Sequence, residues 1–141
     1  MALKPGVTPA QLNQMNRGNM AGLLGIEYTE VGPDYVCARM PVDERTRQPM
    51  GLLHGGASVA LAETLGSIAA YCTIDADKQY CVGLDINANH IRGVSEGFVH
   101  GKASPLHLGR STQVWEIRIT DEAGKLVCIS RLTMAVLDRK L

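Results

Sequence analysis

One helix-forming segment, followed by nothing but strand-forming ones, sets the tightest limit on how this chain can fold. GLLHGGASVALAETLGSIAAY, residues 51–71, reads as a helix from about His54 to about Tyr71. Beyond the turn-like IDADKQ, the pattern is β to the end. VGLDINANHIR (82–92) alternates, with Val82, Leu84, Ile86 and Ala88 expected on one face and Asp85, Asn87 and Asn89 on the other. Further strands fit about 96–105, 111–120 and 125–137, the last two joined by an Asp121–Gly124 hairpin turn. Ahead of the helix, residues 25–31 and 35–42 flank Gly32-Pro33-Asp34 and form a second hairpin. DERTRQP (43–49) reads as a loop. Strands joined by short turns pair antiparallel, and the one long helix must cover a face of their sheet. The expected class is α+β, in a single domain over 1–141. A short helix should open the chain, with Thr8 as N-cap and Pro9 at the first helical position. Segment 17–24, RGNMAGLL, either packs over a pocket or joins the core; core is the preferred expectation.

Composition narrows the function classes. Fourteen basic residues balance fourteen acidic ones, so no bulk charge draws the chain to nucleic acid or an acidic membrane. Trp115 and four tyrosines are too few and too scattered for base stacking. No apolar run approaches a membrane span. MALKPGVTPAQL lacks the apolar centre of a signal peptide, so a cytoplasmic location is expected. Cys37, Cys72, Cys81 and Cys128 form no C-x-x-C pair and read as small core residues in a reducing compartment. His54, His90, His100 and His107 lack paired ligand spacing, and no metal is expected. Ser58 has Ala60 where a nucleophile elbow needs glycine.

The chemistry concentrates on the long helix. At 100° per residue, Leu61, Leu65, Ile68 and Cys72 form one apolar stripe, which should lie on the sheet. Glu63 projects about 200° from Leu61, among Val59, Ala60, Gly66 and Ser67, with Gly56 and Ala70 extending that face. Glu63 is either an ordinary surface charge or a base or nucleophile in a cleft. Against the first, no Lys or Arg lies within four residues, and mid-helix the charge gains nothing from the dipole. At the helix start, His54-Gly55-Gly56 either makes only a tight turn or offers free N–H groups to an anion or developing oxyanion. Gly55 and Glu63 are eight residues, about 12 Å, apart along one helix. If both act on one substrate, they must come from two copies of the helix packed antiparallel, in a symmetric dimer with two sites.

QPMGLLHGGASVALAETLGS, VGLDINANHIR and SEGFVHGKASPLHLGRSTQVWEI together resemble the hotdog-fold acyl-CoA thioesterases. Within them the chain is similar to the 4-hydroxybenzoyl-CoA and 1,4-dihydroxy-2-naphthoyl-CoA group and to the enterobactin-pathway proofreading enzyme. The resemblance runs from about Leu23 to Leu137, and its HGG…AE core and PLHLGR are its most specific parts. It implies an antiparallel sheet wrapped round one central helix, in dimers that often pair into homotetramers. It implies Glu63 as nucleophile or general base and the Gly55 N–H as the group polarising the thioester carbonyl. Gln48 and His54 would flank the thioester, Ser67 would position the water or the carboxylate, and Thr64 would lie at the site edge. Val82, Gly83, His90, Arg92, His107, Leu108, Gly109 and Arg110 match positions that contact CoA. For His90 the alternative is a strand-end ring bonded to backbone. Lys102 and Arg131 read as solvated surface. No cofactor is implied, CoA being part of the substrate. The acyl group, expected to be aromatic, rides either on CoA or on an acyl carrier protein. A hotdog protein that binds acyl-CoA without turnover would lack the acid that Glu63 supplies.

Overall fold

A computed structural model describes residues 3–140. Two short helices open it, α1 (Pro9–Gln14) and α2 (Met20–Leu23). Strands β1 (Glu27–Val31) and β2 (Val36–Pro41) follow, then the long helix α3 (Gly55–Tyr71). The remaining strands are β3 (Gln79–His90), β4 (Phe98–Leu108), β5 (Thr112–Thr120) and β6 (Leu126–Asp138). All neighbours are antiparallel, and the six strands lie in the order β1-β2-β4-β5-β6-β3. The first strand after α3 thus takes an edge, and residues 91–97 carry the chain back to β4 in the interior of the sheet. That crossover is pinned at both ends: Leu53 N–H donates to Val94 O, and Val42 N–H to Gly97 O. With α3 lying across this sheet, the architecture is the α+β hotdog fold.

The core lies between α3 and the sheet. Leu61, Ala62, Leu65 and Ala69 meet Trp115, Ile117, Leu132 and Met134, all buried. The buried face of α3 is wider than one apolar stripe. Leu61, Leu65 and Cys72 are buried as expected, while Ile68 is only half-buried. Gly66 and Ala70, expected beside Glu63, are buried, and Gly66 faces the sheet. A Cβ on Gly66 would stand 2.6 Å from Leu132 Cδ2. A sheet that wraps the helix reaches round to positions flanking the stripe, and small residues there let it close. Past the helix end, Trp115 Nε1–H donates to Gln113 Oε1 at 2.9 Å, and Gln113 Nε2–H to Thr73 Oγ1 at 2.8 Å. This satisfies the polar groups that a buried indole brings inside.

Two expectations need correction. The even alternation of β3 is broken by a bulge between Gly83 and Asp85. One extra residue, Leu84, reverses the parity. Ile86 and Ala88 then pack on the core together with Cys81, whereas Val82 and Leu84 are 40% and 60% exposed. Segment 17–24 joins the core only in part: Ala21 and Leu24 pack half-buried against it, but Met20 and Leu23 are 63% and 70% exposed, and α2 holds no fully buried residue. The reason is its support. α1 is tied to the edge strand, with Asn13 bonding both the N–H and the O of Tyr28, and Asn16 Nδ2–H donating to Ile26 O. α2 lies against α3, with Ala21 and Leu24 packed half-buried on the core while Met20 and Leu23 stay largely outside. Thr8 caps α1 with Gln11 in a reciprocal box.

The four cysteines are free; Cys72 and Cys128 are buried, Cys37 and Cys81 half-buried. Burial raises all four thiols, Cys72 to about 11, so they stay protonated near neutrality. Among the described residues no helix is long and apolar enough to cross a membrane.

Candidate active site

The start of α3 leaves one donor free. His54 is the N-cap in extended conformation, and its Nδ1 accepts from Gly56 N–H at 2.8 Å. In the neutral ring the proton is therefore on Nε2. His54 O accepts from Ala57 and Ser58. Gly55 N–H has no hydrogen-bond partner among the described residues, and it stands where the helix dipole is positive. A Cβ on Gly55 would lie 2.9 Å from His90 Nε2. The His90 ring thus lies against the helix start and bonds to no backbone group among the described residues. Gln48 is fixed from both sides: its N–H donates to Leu52 O, and its Oε1 accepts from Met50 N–H. Its Nε2 remains available as a donor. Gln48, Gly55, His90 and Arg92 border one depression of about 350 Å³, with Ser58 buried within α3 beside it.

Glu63 opens onto a different cavity, of about 600 Å³. From α3 it shares the lining with Thr64, Ser67, Ile68 and Tyr71. Met15, Met20 and Ala21 close it from the α1–α2 arm, and Tyr28 from β1. The carboxylate is half-buried and makes neither a hydrogen bond nor an ion pair among the described residues. Gly83 of β3 passes directly under it, since a Cβ there would stand 2.7 Å from Glu63 Oε2. Ser67 Oγ is 3.8 Å from Met134 Sδ, a weak contact that leaves the hydroxyl free for other partners. Val82, next to Gly83, projects to the opposite face of the strand.

A third group lies at the far end of α3. Leu108, Gly109 and Arg110 turn β4 into β5, bordering a depression of about 290 Å³ beside Thr73. Gly109 is required there, since a Cβ would meet Thr112 O at 2.9 Å and His107 Nε2 at 2.6 Å. The single chain therefore sorts the expected residues into three separate places. Gln48, His54, Gly55, His90 and Arg92 gather at the helix start. Glu63, Thr64, Ser67 and Gly83 gather at its middle, and His107–Arg110 lie past its end. Sequence reasoning did not single out Met15, Tyr28 or Tyr71 as cavity walls. The alternation in EYTEV does turn Tyr28 inward, but no spacing rule says that a cavity lies there.

Comparison with known proteins gives consistent matches. The family model described as the thioesterase superfamily matches residues 50–128. The 1,4-dihydroxy-2-naphthoyl-CoA hydrolase of Escherichia coli (strain K12) is 54% identical over 137 residues, 97% of this chain and 100% of that protein. The proofreading thioesterase EntH of Cronobacter turicensis is 55% identical over 137 residues, 97% of this chain and 99% of that one. Among solved structures, a mutant of thioesterase PA1618 from Pseudomonas aeruginosa superposes with a TM-score of 0.96 at 47% identity. That match covers 99% of this chain and 100% of the other.

Proposed function

The chain belongs to the thioesterase superfamily and is an acyl-CoA thioesterase; from that premise we propose that it hydrolyses aromatic acyl-CoA esters at two sites, each shared between two copies of the chain. Glu63 is the catalytic carboxylate. Either it attacks the thioester carbonyl, expelling the CoA thiolate and leaving an acyl anhydride that water cleaves, or it takes a proton from the water that attacks. Both routes break the C–S bond and give a carboxylic acid and the CoA thiol. The Gly55 N–H of the second copy holds the carbonyl oxygen as it gains negative charge. Gln48 and His54 flank the thioester, with the Gln48 amide and the His54 Nε2–H as donors. Ser67 orients the water or the carboxylate, and Thr64 borders the acyl group.

The observation that carries this reading is a separation. An unpaired carboxylate faces a cavity large enough for an aromatic ring, while the free N–H of the same helix opens into another depression about 12 Å away. Antiparallel pairing of two α3 helices brings each carboxylate to the other chain's helix start. The same pairing explains why residues expected to hold CoA are scattered in one chain. His90 and Arg92 serve one site, and His107–Arg110 reach a site from the other end of α3, with Val82 and Gly83 between. The unpaired outer edge of β3 suits a homodimer, and two dimers suit a homotetramer. A single domain over 1–141 and a cytoplasmic location belong to the same reading.

The carrier has a second reading: aryl groups on an acyl carrier protein. It is favoured by the near-equal identities to the naphthoyl-CoA hydrolase and to EntH, 54% and 55%. The test measures thiol release from benzoyl-CoA, a hydroxynaphthoyl-CoA, a medium-chain acyl-CoA and an aryl carrier protein, with wild type and Glu63→Gln. The expected result is fastest turnover of the aromatic CoA esters. Kcat in the variant should fall by about 10²–10⁴-fold with little change in KM. Near-full turnover by Glu63→Gln would remove the carboxylate from the mechanism, and a clear preference for the carrier-protein ester would select the second reading.

A further inference from the structure

The wall of the Glu63 cavity holds a polar group that no step above uses. Tyr28 is 3% exposed and lines that cavity. Its hydroxyl has no hydrogen-bond partner among the described residues, whereas its backbone N–H and O are both bonded to Asn13. Among the described residues, the one enclosed side-chain polar atom without a partner is Arg39 Nε. The Tyr28 hydroxyl is therefore not sealed in the core, and the residue it belongs to lines the Glu63 cavity. Other polar neighbours are committed: Asn16 donates to Ile26 O, and Asn19 bonds Met15 O and Gly22 N–H. A partnerless phenol in a cavity wall calls for a ligand that carries its own polar atom.

Resting on the function proposed above, we propose that Tyr28 is a specificity-determining residue that hydrogen-bonds a hydroxyl on the ring of the acyl group. The Asn13 clamp on both backbone groups fixes the strand that carries the ring, so the donor is positioned before substrate arrives. Burial, and secondarily the Cys72 thiol, push the phenol well above its usual pKa, so it is a donor at any working pH.

The experiment compares wild type with Tyr28→Phe on benzoyl-, 3-hydroxybenzoyl-, 4-hydroxybenzoyl- and hydroxynaphthoyl-CoA. Phe keeps the packing and breaks no bond within the protein, so thermal stability should be unchanged or higher. In the variant, kcat/KM for at least one hydroxylated ester should fall about tenfold relative to benzoyl-CoA, with benzoyl-CoA itself within about twofold of wild type. Calorimetric binding of 4-hydroxyphenacyl-CoA against phenacyl-CoA, thioethers that cannot be hydrolysed, should lose the same preference. If every hydroxylated-to-benzoyl ratio is the same in both proteins, Tyr28 is a packing residue and the inference is wrong. If wild type cleaves no aromatic ester at all, the function on which it rests is wrong instead.

Discussion

Gly83 shows how little space, at the scale of one residue, separates a strand backbone from the Glu63 carboxylate. It lies in the middle of a strand, where glycine weakens pairing and is chosen for a reason. That reason is Glu63, whose Oε2 would be 2.7 Å from any Cβ at this position. Gly83→Ala should leave the fold as stable as before or more so, alanine having less backbone freedom to lose. It must turn the carboxylate aside, and a misplaced reacting group typically costs about 10²-fold in rate. Kcat on an aromatic acyl-CoA, measured beside a thermal melt, checks this. Normal turnover in a stable Gly83→Ala protein would mean that the carboxylate acts from another position. The glycine was legible as a residue near CoA by resemblance, but its contact with Glu63 was not, because β3 follows α3 only after an unpatterned turn.

On the scale of elements, α3 divides into a sheet face and a cavity face, and helical periodicity placed that division imperfectly. A straight projection assigns Gly66 to the cavity face beside Glu63. The packed helix has it against Leu132 and Ile117. The difference predicts opposite effects for Gly66→Val. On a cavity face, valine would alter turnover and leave stability alone. On the sheet face, it overpacks the core and should cost about 2 kcal/mol, read as a lower urea midpoint at unchanged slope. An unshifted midpoint would contradict the seating of α3. In β3, similarly, the bulge at Leu84 reverses the faces on which Val82 and Ile86 lie. Periodicity cannot announce a bulge, because an inserted residue leaves the apolar pattern locally intact. α2, with four residues, is too short for any periodic signal.

For the whole molecule, the decisive question is whether one chain makes a site. Mixing two defective proteins answers it. Gly55→Pro removes the free N–H at a position where proline starts helices well, and the extended His54 before it suits a following proline. Gly55→Ala retains the N–H and brings the same Cβ towards His90, so the difference between the two isolates the donor. Glu63→Gln and Gly55→Pro should each be nearly inactive. Exchanged at equal concentrations, they should recover about a quarter of wild-type activity, since half the dimers are mixed and each mixed dimer holds one intact site. No recovery after proven exchange, or full activity in a wild-type monomer at assay concentration, would overturn the shared site.

What the sequence determined by itself was the inventory and its order: one long helix, strands in antiparallel succession, the Thr8 cap, the two hairpins, and a carboxylate with no cation near it. Those follow from short-range rules, in which side-chain spacing and turn chemistry act over a few residues. The resemblance added roles for Gln48, His54, Gly55 and Glu63 because such roles attach to motif positions. Only the tertiary structure decided that β3 lies at the sheet edge, that Gly83 passes beneath Glu63, that Gly66 faces the core and Tyr28 the cavity, and that Gly55 and Glu63 open to different depressions. Each of these depends on contacts between segments far apart in the chain, whose distances are set by close packing across the whole sheet and by no local pattern.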